Sequence, residues 1–299
     1  MTRGAGGCRS VVKRRRSPAL FGVLCSVLCL GLMSRVAAAE PNERALWQLW
    51  CQHSTNALDH EALLASCQAF TNQNPSDPFV LVGQTMEVWN LLHLGRQTEA
   101  AAILTHHLEK TGTPLANGAS YLAKSWMTRI DRDRVKAALQ FYYRREVRYP
   151  RSLDELFAYA PLPQALAPPR QDQWGQDWRY VLVGFKALPG LLDQKYGISS
   201  SRLGEGSDLA EALAVPYGGL IRVRATRMLS STPGNEIVEW MIARPPAAAA
   251  GKEKAKPAER TVALGVNSTA EGVFVAYVGR TILIVYDDNH WKLLIRPAG

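Results

Sequence analysis

The sequence predicts an α+β fold with its helices first and most of its strands last. Three observations carry that expectation. Between residues 44 and 148 apolar side chains recur at helical spacing, broken at Asn74-Pro75, Gly95 and Pro150. From Pro216 onward, short runs of β-branched and aromatic residues alternate with turn residues. Between them, residues 138 to 208 hold a helix end and a strand start, punctuated by prolines and a Trp-Gly pair.

Residues 1–39 read as an export signal. Lys13-Arg14-Arg15-Arg16 is a basic n-region, Pro18 to Met33 an apolar core, and Ala37-Ala38-Ala39 a small-residue cleavage site before Glu40. The expected location is periplasmic or exported, with an uncleaved anchor as the alternative. Leucine precedes both Cys25 and Cys29, which argues against lipidation. The same segment holds seven of the 35 basic residues and none of the 26 acidic ones, so the chain's +9 falls to +2 without it. A near-balanced mature chain gives no reason to expect nucleic acid as a partner.

Residues 40–113 read as helical hairpins. Leu46, Trp47, Leu49 and Trp50 form an apolar stripe, and Asp59 is placed to cap a second helix carrying Leu63, Leu64 and Cys67. Helices over Val80 to Leu94 and Thr98 to Lys110 follow, with the turn at Gly95. Asp77 to Gly112 has the length of one tetratricopeptide-type repeat, though its aromatic signature positions do not align; a plain helical spacer fits equally. Outside the signal the cysteines are Cys51 and Cys67, offset by about one turn across a hairpin. A disulfide and two separate small apolar side chains both remain open.

Residues 114–213 begin with a long, charged amphipathic helix, Leu115 to Arg148, stopped by Pro150. Ser152 and Glu155 have capping-box spacing, so a short helix should start there. Pro161, Pro163, Pro168 and Pro169 keep the next stretch irregular, Trp174-Gly175 makes a tight turn, and Arg179 to Val183 alternates like a strand.

That order resembles the globular domain of the major pseudopilins of type II secretion systems, relatives of type IV pilins. One family run is matched by Tyr149, Pro150, Leu153 and Leu156. A second is matched by Asp172, Trp174, Gly175, Trp178 and Tyr180, with Gln173 where the family has proline. The resemblance covers about a third of the chain. It implies calcium in the following loop, for which this chain offers Glu205, Ser207 and Asp208, without the family's Asp-Gly step. A true pseudopilin starts with its own apolar helix, whereas here some 75 residues of hairpins precede a charged one. Such a chain should keep the head domain without entering a pseudopilus in the ordinary way.

Residues 214–299 read as a small β domain. Strands are expected over Gly219 to Thr226, Glu236 to Ala243, Thr261 to Val266, Gly272 to Val278, Thr281 to Tyr286 and His290 to Arg296, with a flexible loop over 245–259. Asp287-Asp288-Asn289 supplies a hairpin turn. The strand sequence is similar to the small β domains of periplasmic inner-membrane components that meet the secretin in type II secretion and type IV pilus systems.

Catalytic signatures are missing from the sequence: it has no GxSxG, HExxH, P-loop or dinucleotide fingerprint. His53, His60, His93 and His290 lack the paired spacing of a metal site, and His106-His107 point to different faces. The reading is an exported, non-enzymatic adaptor or accessory component of a type II secretion or type IV pilus-like envelope machine, with protein partners and no cofactor beyond the calcium considered above. The alternatives are a free periplasmic scaffold for an unrelated assembly and a hydrolase with an inter-domain site. The hydrolase would need convergent acid and base residues.

Overall fold

Local signals set the helices. Asp59 accepts from the Ala62 N–H (3.1 Å) and starts α2 (His60–Gln73), the partner of α1 (Glu43–Thr55) in the first hairpin. The second hairpin is α3 (Val80–His93) and α4 (Gln97–Leu108). Thr113 caps the 33-residue α5 (Pro114–Glu146), with proline in its first turn and Val147 ending it in the left-handed conformation. Ser152 accepts from the Glu155 N–H and opens α6 (Leu153–Phe157). The last helix is α7 (Leu209–Ala214), capped by Asp208.

This computed structural model describes residues 42–55, 58–186, 192–217, 221–244 and 258–298. The expected signal segment and residues 245–257 of the expected loop lie outside them. Ala258 and Glu259, placed in that loop from the sequence, instead belong to a strand.

The described strands form three antiparallel sheets. One is the pair β1 (Arg179–Lys186) and β2 (Leu192–Ser199). The second has the order β3-β4-β5, from Arg222–Thr232, Asn235–Arg244 and Ala258–Gly265. The third runs β6-β7-β8-β9, from Thr269–Ala270, Val273–Val278, Ile282–Tyr286 and Trp291–Ile295.

The third sheet is the middle of three layers. One face, with Ala276, Ile282, Ile284, Tyr286, Trp291 and Leu293, packs on Leu46, Leu49, Met86, Leu115 and Leu122 of the helices. The other, with Val273, Val275, Leu283 and Val285, packs on Val238, Trp240 and Ile242 of β4. A bulge between Val275 and Tyr277 turns Ala276 and Tyr277 toward the helices. Covered on both sides, β8 is buried throughout. Residues from each of the stretches 40–113, 114–213 and 214–299 meet in the cluster between the helices and this sheet.

At the helix–sheet contact α5 carries Gly118. A Cβ there would lie 2.4 Å from the Trp291 ring, so only glycine allows this approach. Glu43 fastens the other end: its carboxylate accepts from the Tyr277 hydroxyl and the backbone N–H groups of Arg280 and Thr281.

Candidate functional site: an exposed helix end and a buried histidine cluster

Of the nine motif residues, Tyr149, Pro150, Leu153, Leu156, Trp178 and Tyr180 gather at the C-terminal end of α5, whereas the turn of Asp172, Trp174 and Gly175 lies along its earlier part, with the Trp174 ring 6.0 Å from Tyr121. Leu156 and Trp178 are buried with Val135, Leu139, Tyr142 and Ile198, and Tyr149, Leu153 and Tyr180 close the margin. The two runs are joined directly, because the Tyr180 hydroxyl donates to the Pro150 carbonyl (2.8 Å). Asp172 builds the Trp-Gly turn: one carboxylate oxygen accepts from the N–H groups of Trp174 (2.9 Å) and Gln176 (3.0 Å), the other from the Ser200 hydroxyl (2.6 Å). Gly175 sits at φ 73°, where a side chain would be strained. Gln173, standing where the family has proline, uses what proline lacks. Its N–H donates to the Thr128 hydroxyl and its amide to Asp131, docking the turn on α5.

The capping box differs in detail. Glu155 reaches the N–H of Arg151 (2.6 Å) rather than that of Ser152, and accepts from Tyr142 (2.6 Å) and Arg148 (2.7 Å). The Arg148 guanidinium, with Tyr142 and the Arg151 N–H, holds its carboxyl down at about 2.

Between α6 and the Trp-Gly turn lies a cleft of about 650 Å³, lined by Phe157, Trp178 and Tyr180 with Arg151, Asp154 and Arg170 among its polar groups. Seven large apolar side chains are exposed among the described residues; Tyr143 and Val147 lie at the end of α5, and Val181 and Val183 lie on β1, on the face opposite Tyr180. The β1–β2 pair has no third strand, so among the described residues both of its edges are open.

The loop matched to a calcium site is committed elsewhere. The Ser207 hydroxyl accepts from the Ser200 N–H (2.9 Å) and donates to the Gly204 carbonyl (2.6 Å). One oxygen of Asp208 caps α7 through Ala210 and Glu211; the other takes Arg132 (2.6 Å) and Lys136 (3.5 Å). Burial opposes the charge of Asp208, but the Arg132 hydrogen bond outweighs it and holds the carboxyl at about 2. A cation there would have to displace two others, and the Glu205 side chain lies outside the described atoms. Among the described residues no three His, Cys, Asp or Glu side chains converge to hold a metal.

The disulfide expected as one option is not formed: Cys51 and Cys67 are both thiols. Cys67 instead points inward, its Sγ 3.3 Å from His53 Nε2, while the Asn90 amide lies 3.2 Å from the same nitrogen. This Cys-His-Asn group carries the residue types of a thiol hydrolase but not the state. Cys67 and His53 are both 0% exposed. Burial pushes the thiol up and pulls His53 down to about 4, opposite to the ion pair such chemistry needs.

Around this group lies a set of residues that sequence reading treated separately. Trp89 is the hub, with ring centroids 4.2 Å from His93, 5.1 Å from His60, 5.1 Å from Tyr217 and 6.2 Å from His53 and His290. His290 is 1% exposed, and neither of its ring nitrogens has a hydrogen-bond partner. Arg129 of α5, equally buried, lies beside it and holds the Asp287–Asn289 turn. It donates to the Asp288 carbonyl and the Asn289 side chain, and also to the Gly206 carbonyl (2.9 Å). Trp126 donates to the Asn289 carbonyl (2.9 Å).

The chain matches no protein-family model, no curated protein and no solved structure. Among the described residues no helix is long and apolar enough to cross a membrane.

Proposed function

We propose that the chain is an exported, non-enzymatic adaptor or accessory component of a type II secretion or type IV pilus-like envelope machine. The observation that carries this reading is the exposed end of α5. There the pseudopilin-like runs build a small core, and beside it Tyr143, Val147, Val181 and Val183 stand in solvent next to a strand pair with open edges. Exposed apolar side chains with unpaired backbone beside them are suited to a protein partner that adds a strand or lays a helix on the surface. The long helix, the capped turn, the Trp-Gly turn and the hairpin follow the order of a pseudopilin head, which is what directs the reading to secretion and pilus machinery. The helical hairpins and the layered β region replace the filament-forming helix, consistent with an accessory rather than a filament subunit.

Affinity capture from the envelope fraction of the source cell, with and without calcium, tests this. Recovery of secretin, assembly-platform or pilin-like subunits is expected in both conditions. A clean monomer with none of these would turn the reading to a free periplasmic scaffold.

A further inference from the structure

The Asp287–Asn289 turn is the tip of the β8–β9 hairpin, and it is pressed into the helical layer at a place crowded with histidines. His290 follows the turn directly. Facing it are Trp89 and His93 from α3, Trp126 and Arg129 from α5, and Tyr217 from the segment after α7. On its own hairpin it meets Asp287, which accepts from its backbone N–H (3.0 Å), and Lys292, whose ammonium is 3.4 Å from the Asp287 carboxylate. Deeper in the helical layer, His53 faces Cys67 and His60 from α2, Trp89 and Asn90 from α3, and Tyr217.

The chemistry here is one-sided. A protonated imidazole carries two N–H donors and needs two acceptors. His290 has none, and the Nδ1 of His53 has none. Among the described residues, the carboxylates of the hairpin that carries His290 have other contacts: Asp287 Oδ1 accepts from the turn's N–H groups, its Oδ2 pairs with the Lys292 ammonium without a hydrogen bond, and Asp288 accepts from the Tyr121 hydroxyl. A proton added to His290 would become a third buried positive charge beside Arg129 and Lys292, 1% and 6% exposed. Burial in low dielectric makes that costly, and opening the contact to water relieves it.

We propose that this cluster is a proton-sensitive latch: uptake of protons by His53 and His290 releases the β8–β9 hairpin from the helical layer. The inference stands on the packing of the junction and does not depend on the adaptor reading. Its direction follows from linkage. Burial pulls His53 down to about 4, and burial with Arg129 and Lys292 pulls His290 in the same direction. The open state therefore binds more protons below the ordinary histidine value near 6.5, and the closed state is favoured above it. Closure weakens as pH falls from about 6.5 toward 4. Residues 108–289 hold no histidine, so the dependence is confined to the helical layer and the hairpin; within the layer, burial pulls His93 and His107 down to about 4 as well.

Hydrogen exchange on the chain from pH 7.5 to pH 5, corrected for intrinsic rates, tests the latch. Exchange over 282–295 and 118–130 should rise at least ~30-fold, the ratio a shift from 6.5 to about 4 produces for one histidine. Exchange over β1, β2 and α6 should stay flat. In the His53→Phe/His290→Phe variant, which keeps His93, the rise should fall at least ~10-fold. A flat junction, a rise spread equally over β1–β2, or an undiminished rise in the double variant would overturn the latch. Should that variant not fold, the ring signals of the wild-type chain decide: a His290 imidazole titrating above pH 6 in the closed state contradicts it.

Discussion

The two halves of α5 meet the rest of the chain in opposite ways. Near its middle, Arg129 is 1% exposed and donates to carbonyl and side-chain oxygens of distant segments as well as to Ser125 one turn back. Near its end, Glu155 joins Tyr142, Arg148 and Arg151 at the surface. The first kind of link is expensive to break, because every partner left behind is buried without a hydrogen bond. The second is inexpensive, because water replaces what is lost. Rigidity therefore sits at the junction of helices and sheet, while the accessible apolar surface sits at the motif-bearing end.

The sharpest way to break that contrast is Arg129→Met. It strands the Gly206 carbonyl and the 287–289 turn together, and should cost about 3–5 kcal/mol, seen as a thermal midpoint lowered by roughly 10 °C. A loss under 1 kcal/mol would mean that the junction is not where stability concentrates. Gly118→Ala probes the same contact sterically. The new Cβ meets the rings of Trp291 and Tyr286, so a destabilisation of about 1–3 kcal/mol is expected in a denaturant melt. At the other end, Tyr180→Phe removes one half-buried hydrogen bond to Pro150 and should cost only about 1 kcal/mol.

The smallest effect concerns the 205–208 loop. With Asp208 engaged by Arg132, Lys136 and the N-terminus of α7, calcium and a chelator should leave the melting temperature unchanged within about 1 °C. Its depressed pKa gives the same pH sign as the latch, from a different cause and in a lower window. The Asp208 contribution is complete above the ordinary carboxylate value near 4 and fades only as pH falls through about 2. Acid loosening above pH 4 therefore belongs to the histidines, and Asp208→Asn should leave that window unaltered.

What could be read from the sequence was what neighbouring residues decide. Pro150 stops α5, Ser152 caps α6, Asp59 caps α2, and Asp287-Asp288-Asn289 turns the last hairpin, because each signal acts within a few residues. His106 and His107 do face apart, one exposed and one buried. Distance defeated the rest. Residues 192 to 199 form β2, whose partner β1 defines it only once paired. Trp291 and Leu293 face the core as alternation predicts, yet Ile295 is 67% exposed and Lys292 is buried, because a second sheet covers the other face. The histidine cluster had no signal at all, since His53 and His290 come onto the same Trp89 and Tyr217 rings only after the helices and the last hairpin are packed. A buried arginine hub such as Arg129 is likewise indistinguishable in sequence from the surface arginines that follow it.

The central claim is that the exposed end of α5 and β1 is the contact surface. The most direct test captures partners from the envelope fraction with the wild-type chain and with Val181→Asp/Val183→Asp, whose side chains point to solvent. The double variant should melt like the wild type and lose secretin, assembly-platform or pilin-like subunits at least tenfold. Equal recovery by both chains would contradict the claim.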